Sequence, residues 1–233
     1  MAAAVAAVVG HAGRAATLTT ALADGLSREF LQRGLEGGWP LRPLGEVAEV
    51  NPRPARLDPE ASVAFVPMAA VDASSGTIRD STTRLVDEIG AGYKQFRQGD
   101  VIFARITPCM QNGKSAIFRH GHQYGYGSTE FHVLRPGRAV MADWLHAILR
   151  TRDFRDAAAE RFTGTAGQQR VPAKFLMSNP IPVPPLEEQR GLVALLAQQR
   201  TQVGLMERSQ ERVRALADAL VPAALNEAFA GLS

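Results

Sequence analysis

The sequence predicts an α+β protein in three parts: a lead-in and short N-terminal helix over 1–38, one globular domain with a mixed β-sheet and short helices over 39–185, and a long coiled-coil helix over 186–233. Three observations predict it. Short apolar runs separated by turn residues occupy the middle of the chain and are followed by helical periodicities, the order expected of an α+β domain. The run NPIPVPPLEEQRGLVALL, from Asn179 to Leu196, passes from proline-punctuated extended chain into an amphipathic helix. Beyond that junction, apolar residues recur in alternating four- and three-residue steps, the spacing of a coiled-coil seam.

The elements follow in order. Residues 17–36 read as a helix, because Thr17 or Thr19 can cap it, Leu18, Leu22 and Leu26 repeat every four residues, and Gly37-Gly38 stops it. In the central domain VAFVPMAAV (63–71), DVIFARI (100–106), KSAIFRH (114–120) and EFHVLRP (130–136) read as strands. The segments DASSG, RQGD, CMQNG and YGYGS between them read as turns. Helices are expected over 141–151, 152–162 and 172–178. At the junction, Pro185 suits the first turn of a helix, Glu187 and Glu188 favour the positive end of its dipole, and Gln189 is placed to lock strand to helix. The seam of the long helix is Leu192, Leu196, Val203, Met206, Val213 and Leu220, with Gln199 and Gln210 in polar slots. A straight helix of that length spans about 50 Å. One internal echo stands out: ALADGLSREFLQRGLEG (21–37) aligns without gaps to ALADALVPAALNEAFAG (215–231), which suggests the same helix end before and after the central domain.

Composition narrows the classes of function. The chain has 233 residues, 45% of them hydrophobic, enough for one mid-sized domain with an appendage. Cys109 is its one cysteine, which forbids an internal disulfide and fits a reducing cytoplasm. No apolar run reaches the length of a membrane span, and the alanine-rich start lacks the positive n-region of a signal peptide. Net charge is +3, but its distribution is uneven. The stretch between Asp100 and Glu130 carries Arg105, Lys114 and Arg119 with no acid, and that between Glu160 and Glu187 carries Arg161, Arg170 and Lys174 with none. Two acid-free basic loops in one domain suggest a phosphate-binding face.

Catalytic constellations are missing. PCMQNGKS (108–115) ends like a phosphate loop but has Pro108 where glycine is needed, and strand rather than helix follows. None of the lysines, Lys94, Lys114 and Lys174, has an acid two residues before it, as a common nuclease centre requires. NPRP (51–54) lacks the second proline and aromatic residue of an amino-methyltransferase loop, and there is no GxGxxG. His120 and His122 share a strand face without further ligands, and Cys109 has no His–acid pair positioned by the sequence.

The segments FRQGDVIFARITPCMQNGKSAIF (96–118), YGYGSTEFHVLRP (124–136), FTGTAGQQRVPAKFL (162–176) and PIPVPPLEEQRGLVALL (180–196) stand in that order. Together they resemble the target-recognition domain and adjoining helix of type I restriction-modification specificity subunits, over about residues 39–231. The resemblance implies a non-catalytic protein that reads double-stranded DNA. It implies a modification (methyltransferase) subunit as partner, with S-adenosylmethionine bound there and no cofactor on this chain, and a restriction subunit that can join. Full-length members carry two recognition domains; this sequence shows one, so it looks like a half-length form that pairs with a second copy or with another half-subunit.

Residue type and loop context then mark the expected DNA contacts. Arg105, Thr107, Gln111, Asn112 and Lys114 lie in the first basic window; Tyr124, Tyr126, Ser128 and Thr129 lie in a Gly-rich loop that admits close backbone approach; Thr165, Gln168, Gln169, Arg170 and Lys174 lie in the second window. Glu130-Phe131 reads as scaffold, and Gln168-Gln169-Arg170 suits a helix cap as well as a base contact. Two other readings stay open: an assembly scaffold without sequence readout, and an enzyme acting alone through Cys109 or the histidine pair.

Overall fold

A computed structural model describes residues 34–165 and 168–198 continuously, together with Gly25, Arg28, Glu29, Gln32, Leu205, Ser209, Glu211, Arg212 and Ala215. All of those isolated positions are helical. The rest of the 17–36 helix, most of the 21–37/215–231 echo, and the seam positions Val203, Met206, Val213 and Leu220 lie outside the described residues. The account below concerns the unit Leu31–Val193.

The unit is an α+β arrangement of strands β1 Leu41–Pro43, β2 Ala48–Val50, β3 Ser62–Val66, β4 Thr82–Leu85, β5 Lys94–Arg97, β6 Val101–Ala104, β7 Ser115–Ile117, β8 Tyr124–Gly127, β9 Phe131–Pro136 and β10 Pro180–Pro182. Its helices are α1 Leu44–Val47, α2 Ala142–Arg150, α3 Arg152–Ala159 and α4 Ala173–Ser178; a further helix covers 186–198. One sheet, ordered β2-β9-β6-β7, is antiparallel throughout; the second, β4-β3-β8-β5, is mixed, with β3 and β8 parallel.

The first sheet forms the middle layer, and its period-two alternation shows it. Along β6 and β9, Val101, Phe103 and Leu134 face a core completed by Trp144, Leu145, Leu149, Phe154 and Leu176 of the helices. Ile102, Phe131 and Val133 point the other way, into a core shared with Ala64, Val66 and Phe96 of the second sheet. A strand with a core on each face reads as an unbroken apolar run, which is why VIFA was visible in the sequence. Beneath the turn at Gly99, Asp100 is buried and takes Arg135 Nε and Nη2 at 2.9 Å each, tying β6 to β9.

Several strand boundaries differ from expectation. The first run ends at Val66 because Pro67 offers no N–H, and 68–70 form a 3-10 turn. YGYG, read as a loop open to a ligand, is strand β8 inside the second sheet. Its glycines face the intersheet core. A Cβ on Gly125 would meet Phe96 at 2.5 Å and Phe118 at 2.9 Å, and one on Gly127 would meet Val66 O at 2.5 Å. The small residues make room for phenylalanines rather than for nucleic acid.

The junction behaves as the sequence suggested. PIP pairs as β10 with β1, so the domain begins and ends at the same two-stranded sheet. Helix follows at 186, with Pro185 as the residue whose carbonyl accepts from Gln189 N at 3.0 Å. Gln189 is fully buried: its Oε1 accepts from Met141 N at 2.8 Å, and its Nε2 donates to Ala139 O at 2.9 Å and Pro184 O at 2.8 Å. Trp144 Nε1 donates to Pro182 O, and Trp39 Nε1 to Glu188. Leu192, assigned to the seam, packs with Val193 against the domain's own core; Leu196 is half-buried.

Gln189→Leu strands one buried and two part-buried backbone groups and is expected to lower unfolding stability by about 2–3 kcal/mol, measured by urea titration of the full chain. Gly125→Ala crowds two phenylalanines between the sheets and is expected to cost about 1–3 kcal/mol in the same assay.

Candidate nucleic-acid interface

Three segments distant in sequence meet where β6 ends and β9 begins. Past Ala104 the chain leaves the sheet, and Arg105 N donates to Glu130 O at 2.9 Å. Val171 N donates to Arg105 O at 2.8 Å and Thr107 N to Gln169 O at 3.0 Å. The last segment is itself closed by a backbone pair, Thr163 N to Arg170 O at 3.0 Å and Arg170 N to Thr163 O at 2.8 Å, with Gly164 at a positive φ. The first basic window, the end of the Gly-rich segment and the second basic window thus share one backbone network.

Glu130 sits at the centre of their side chains. Arg170 Nε approaches its two carboxylate oxygens at 3.2 and 3.0 Å, and Nη2 approaches Oε1 at 2.8 Å. Arg170 Nη1 donates to Gln168 O at 2.9 Å. Arg105 Nε lies 3.7 Å from Glu130 Oε2, beyond a hydrogen bond. The Arg170 hydrogen bonds hold the Glu130 carboxyl below its usual range, and the same bonds raise the Arg170 guanidinium.

Under this cluster lies a buried histidine. His132 Nε2 donates to Val171 O at 2.8 Å, since a carbonyl can only accept; in the neutral ring Nδ1 then accepts from Asn51 Nδ2 at 3.0 Å. Asn51, at φ +53°, also takes Val133 N on its Oδ1. Burial, reinforced by the nearby Arg105 and Lys94 charges and opposed by the Val171 bond, pushes the imidazole down to about 4. A neutral His132 therefore fixes the backbone that carries Arg105 and Arg170.

The loop after Arg105 is held from within and behind. Met110 is fully buried beneath it. Arg155 Nη1 from α3 donates to Gln111 O at 2.7 Å, and Arg150 Nη1 from α2 to Gly113 O at 3.1 Å. Those bonds leave the Gln111 and Asn112 side chains exposed at the tip. Thr107-Pro108 is a cis peptide.

The remaining expected contacts separate. Thr129, Thr165 and Gln168 are exposed beside the cluster, Gln169 is half-buried in it, and Ser128 Oγ accepts from Glu130 N at 3.2 Å to close the turn. Lys114 sits at the loop's root, where its Nζ donates to Met68 O at 3.0 Å. Tyr126 accepts on its hydroxyl oxygen from Nε2 of the buried Gln95 at 2.6 Å, and Gln95 also grips the backbone N–H and C=O of Ala55; Tyr124 is half-buried on the same strand. Both tyrosines belong to the second sheet, and among the described residues neither makes a hydrogen bond to Glu130. Lys174 is exposed on α4 and makes no hydrogen bond to the cluster. The alternative role for Gln168-Gln169-Arg170 is not used either: α4 begins after Pro172 without a side-chain cap.

Windows without acids in the sequence are not so in space. Arg119 pairs with Asp143 at the start of α2, and Arg170 and Arg105 share Glu130. His120 and His122 stack at 5.8 Å and bond Ser81 and Thr83 hydroxyls. Among the described residues no group of three or more His, Cys, Asp or Glu could hold a metal, and no helix is long and apolar enough to cross a membrane. Sequence reasoning missed Asn51, Gln95, His132, Arg150 and Arg155 as supports. His132 alone left a signal, a polar residue inside an apolar strand.

No family model matches the chain. It is 34% identical over 177 residues to the EcoAI type I restriction enzyme specificity subunit of Escherichia coli, covering 74% of this chain and 30% of that one. It is 34% identical over 161 residues to the EcoEI specificity subunit of the same species, covering 68% and 27%. The solved HsdS subunit from Thermoanaerobacter tengcongensis matches with a TM-score of 0.58 and 29% identity, over 81% of this chain and 47% of that one. A structure reported for complex assembly and conformational transition of the type I R-M system shares the fold, with a TM-score of 0.62, 23% identity and coverage of 98% and 57%. These define the class: an α+β chain built like a type I specificity subunit. Its curated homologues are type I restriction-enzyme specificity subunits, and it spans less than a third of the length of each of the two.

The His132 imidazole yields a pH prediction. Its folded value lies below the unfolded 6.5, so its contribution is full above about pH 6.5, shrinks as pH falls towards 4, and is lost below. The loss is expected to reach at most about 3 kcal/mol. Urea titrations between pH 7 and 4 should show this slope, and His132→Gln should remove it. Glu130 adds its own loss only below about pH 4.5.

Proposed function

We propose that this chain is a non-catalytic specificity component that reads a double-stranded DNA sequence for a type I restriction-modification or related methyltransferase complex. The observation that carries the reading is the convergence of three segments around Glu130, which sets Arg105, Thr107, Gln169 and the exposed Gln111 and Asn112 on one loop cluster. Arginine, glutamine and asparagine are the side chains that read guanine and adenine edges in the major groove, and threonine suits phosphate. The likeness to type I specificity subunits supports the same reading.

The finer parts of the proposal follow the family. The domain over 39–185 is the reader and 186–233 a coiled-coil spacer, whose seam Leu196, Val203, Met206, Val213 and Leu220 pairs with a second copy or another half-subunit. A modification subunit supplies the S-adenosylmethionine chemistry, and a restriction subunit completes the complex where one is present. Two copies related by a two-fold axis would read a palindromic split target.

Commitment of Arg119 and Arg170 to internal ion pairs favours one competitor, a scaffold that no longer reads DNA. The two readings part in a binding assay at about 0.15 M salt, where non-specific phosphate contacts are weak. Mapping methylated bases in the host genome supplies the target. The full chain with its modification subunit should retain that duplex over scrambled DNA, and replacing Arg105, Lys114 and Arg170 together by alanine should abolish the preference. Equal retention of all duplexes, or an unchanged preference in the triple variant, favours the scaffold.

A further inference from the structure

The two arginines around Glu130 are not equivalent. Arg170 is committed on every side: Nε and Nη2 bind the carboxylate, and Nη1 binds Gln168 O. Arg105 touches Glu130 only along its Nε edge, at 3.7 Å, and that Nε is buried with no hydrogen-bond partner. Its side chain is still 32% exposed, and its terminal nitrogens donate to no described residue. An arginine held by its inner edge with its outer fork unpaired has the geometry that takes two acceptors in one plane, such as O6 and N7 of guanine.

We infer that Arg105 reads a guanine through its terminal nitrogens, that Glu130 is the positioning residue which aims it, and that Arg170 braces Glu130 rather than reading a base. The inference rests on the DNA-reading function proposed above. The backbone agrees with it: Arg105 N and C=O are both tied, to Glu130 O and Val171 N, so the side chain leaves a fixed Cα. Glu130 N is in turn held by Ser128 Oγ, so the carboxylate too departs from a fixed turn. A preorganised arginine loses less rotamer freedom on binding, which is how an aimed fork gains discrimination without added charge.

The test is a coupling experiment on the full chain with its modification subunit. Each guanine of the mapped target is replaced in turn by 7-deazaguanine, which lacks the N7 acceptor, and affinity is measured for wild type, Arg105→Lys, Arg105→Ala and Arg170→Lys. Wild type should lose on the order of tenfold at one guanine. That loss should vanish in Arg105→Ala, shrink in Arg105→Lys, which lacks the planar fork, and persist in Arg170→Lys, whose ammonium can still pair with Glu130. Arg105→Ala should also weaken the native site roughly 5- to 150-fold, the range for one bidentate contact. Glu130→Gln should reduce discrimination at that same guanine while raising affinity for scrambled DNA, since it removes a negative charge. A purely structural role would leave discrimination intact in every variant that folds, as judged by thermal unfolding. Coupling to Arg170 instead, or no guanine coupled to Arg105 while the wild type still selects its target, overturns the inference. A wild type that selects no sequence overturns the function on which it rests.

Discussion

One carboxylate organises the candidate interface. Glu130 stands at the corner where the Gly-rich strand turns into β9, and it draws Arg170 from a segment 40 residues away against Arg105 at the end of β6. Without a negative charge there, two guanidinium groups on adjoining loops would repel each other. With it, their mutual repulsion becomes a brace, and the backbone bonds between 105–107, 128–130 and 163–171 can all form at once. Ion pairs this accessible to water are individually modest, about 1 kcal/mol or less. The brace matters because it is bidentate and cooperates with a backbone network rather than because of its size.

The fold beneath makes that corner rigid. A middle sheet with a core on each face cannot shift without disturbing both, and Met110, Phe131 and Val171 anchor the three converging segments in those cores. His132 links them from below through a neutral ring, because a buried imidazolium so near Arg105 would be penalised both by lost hydration and by the neighbouring charge. The far end of the domain is treated in the same way. Gln189 and the β1–β10 pair hold the start of the helix at 186 to the exit from the sheet.

What the sequence disclosed depended on burial. VAFV, VIFA, SAI and FHVLRP were legible because they run through buried layers, α2 because it is a long apolar run buried almost throughout, and α3 because Phe154 and Ala158 recur one turn apart. LRP, AEV, TTRL, KQFR and YGYG were missed because three- or four-residue strands rich in Pro, Gly or charge exist only through their tertiary partners. The bridging role of Gln189 was read correctly, while Pro185, read into the first turn, stands just before a helix that starts at 186. Glu130 was read as scaffold, but no window of charge could show it between two arginines from separate loops. The glycines of β8 carried the opposite meaning to the one assigned, because the phenylalanines that need the space lie on other strands.

Native-state hydrogen exchange on Glu130→Gln tests the brace most directly. The amides of Arg105, Thr107, Arg170 and Val171 should exchange on the order of tenfold faster than in wild type, equivalent to about 1.4 kcal/mol of local opening, while Ile102 and Val133 in the middle sheet stay unchanged. Equal protection of all six amides in variant and wild type would contradict the claim that this carboxylate holds the three segments together.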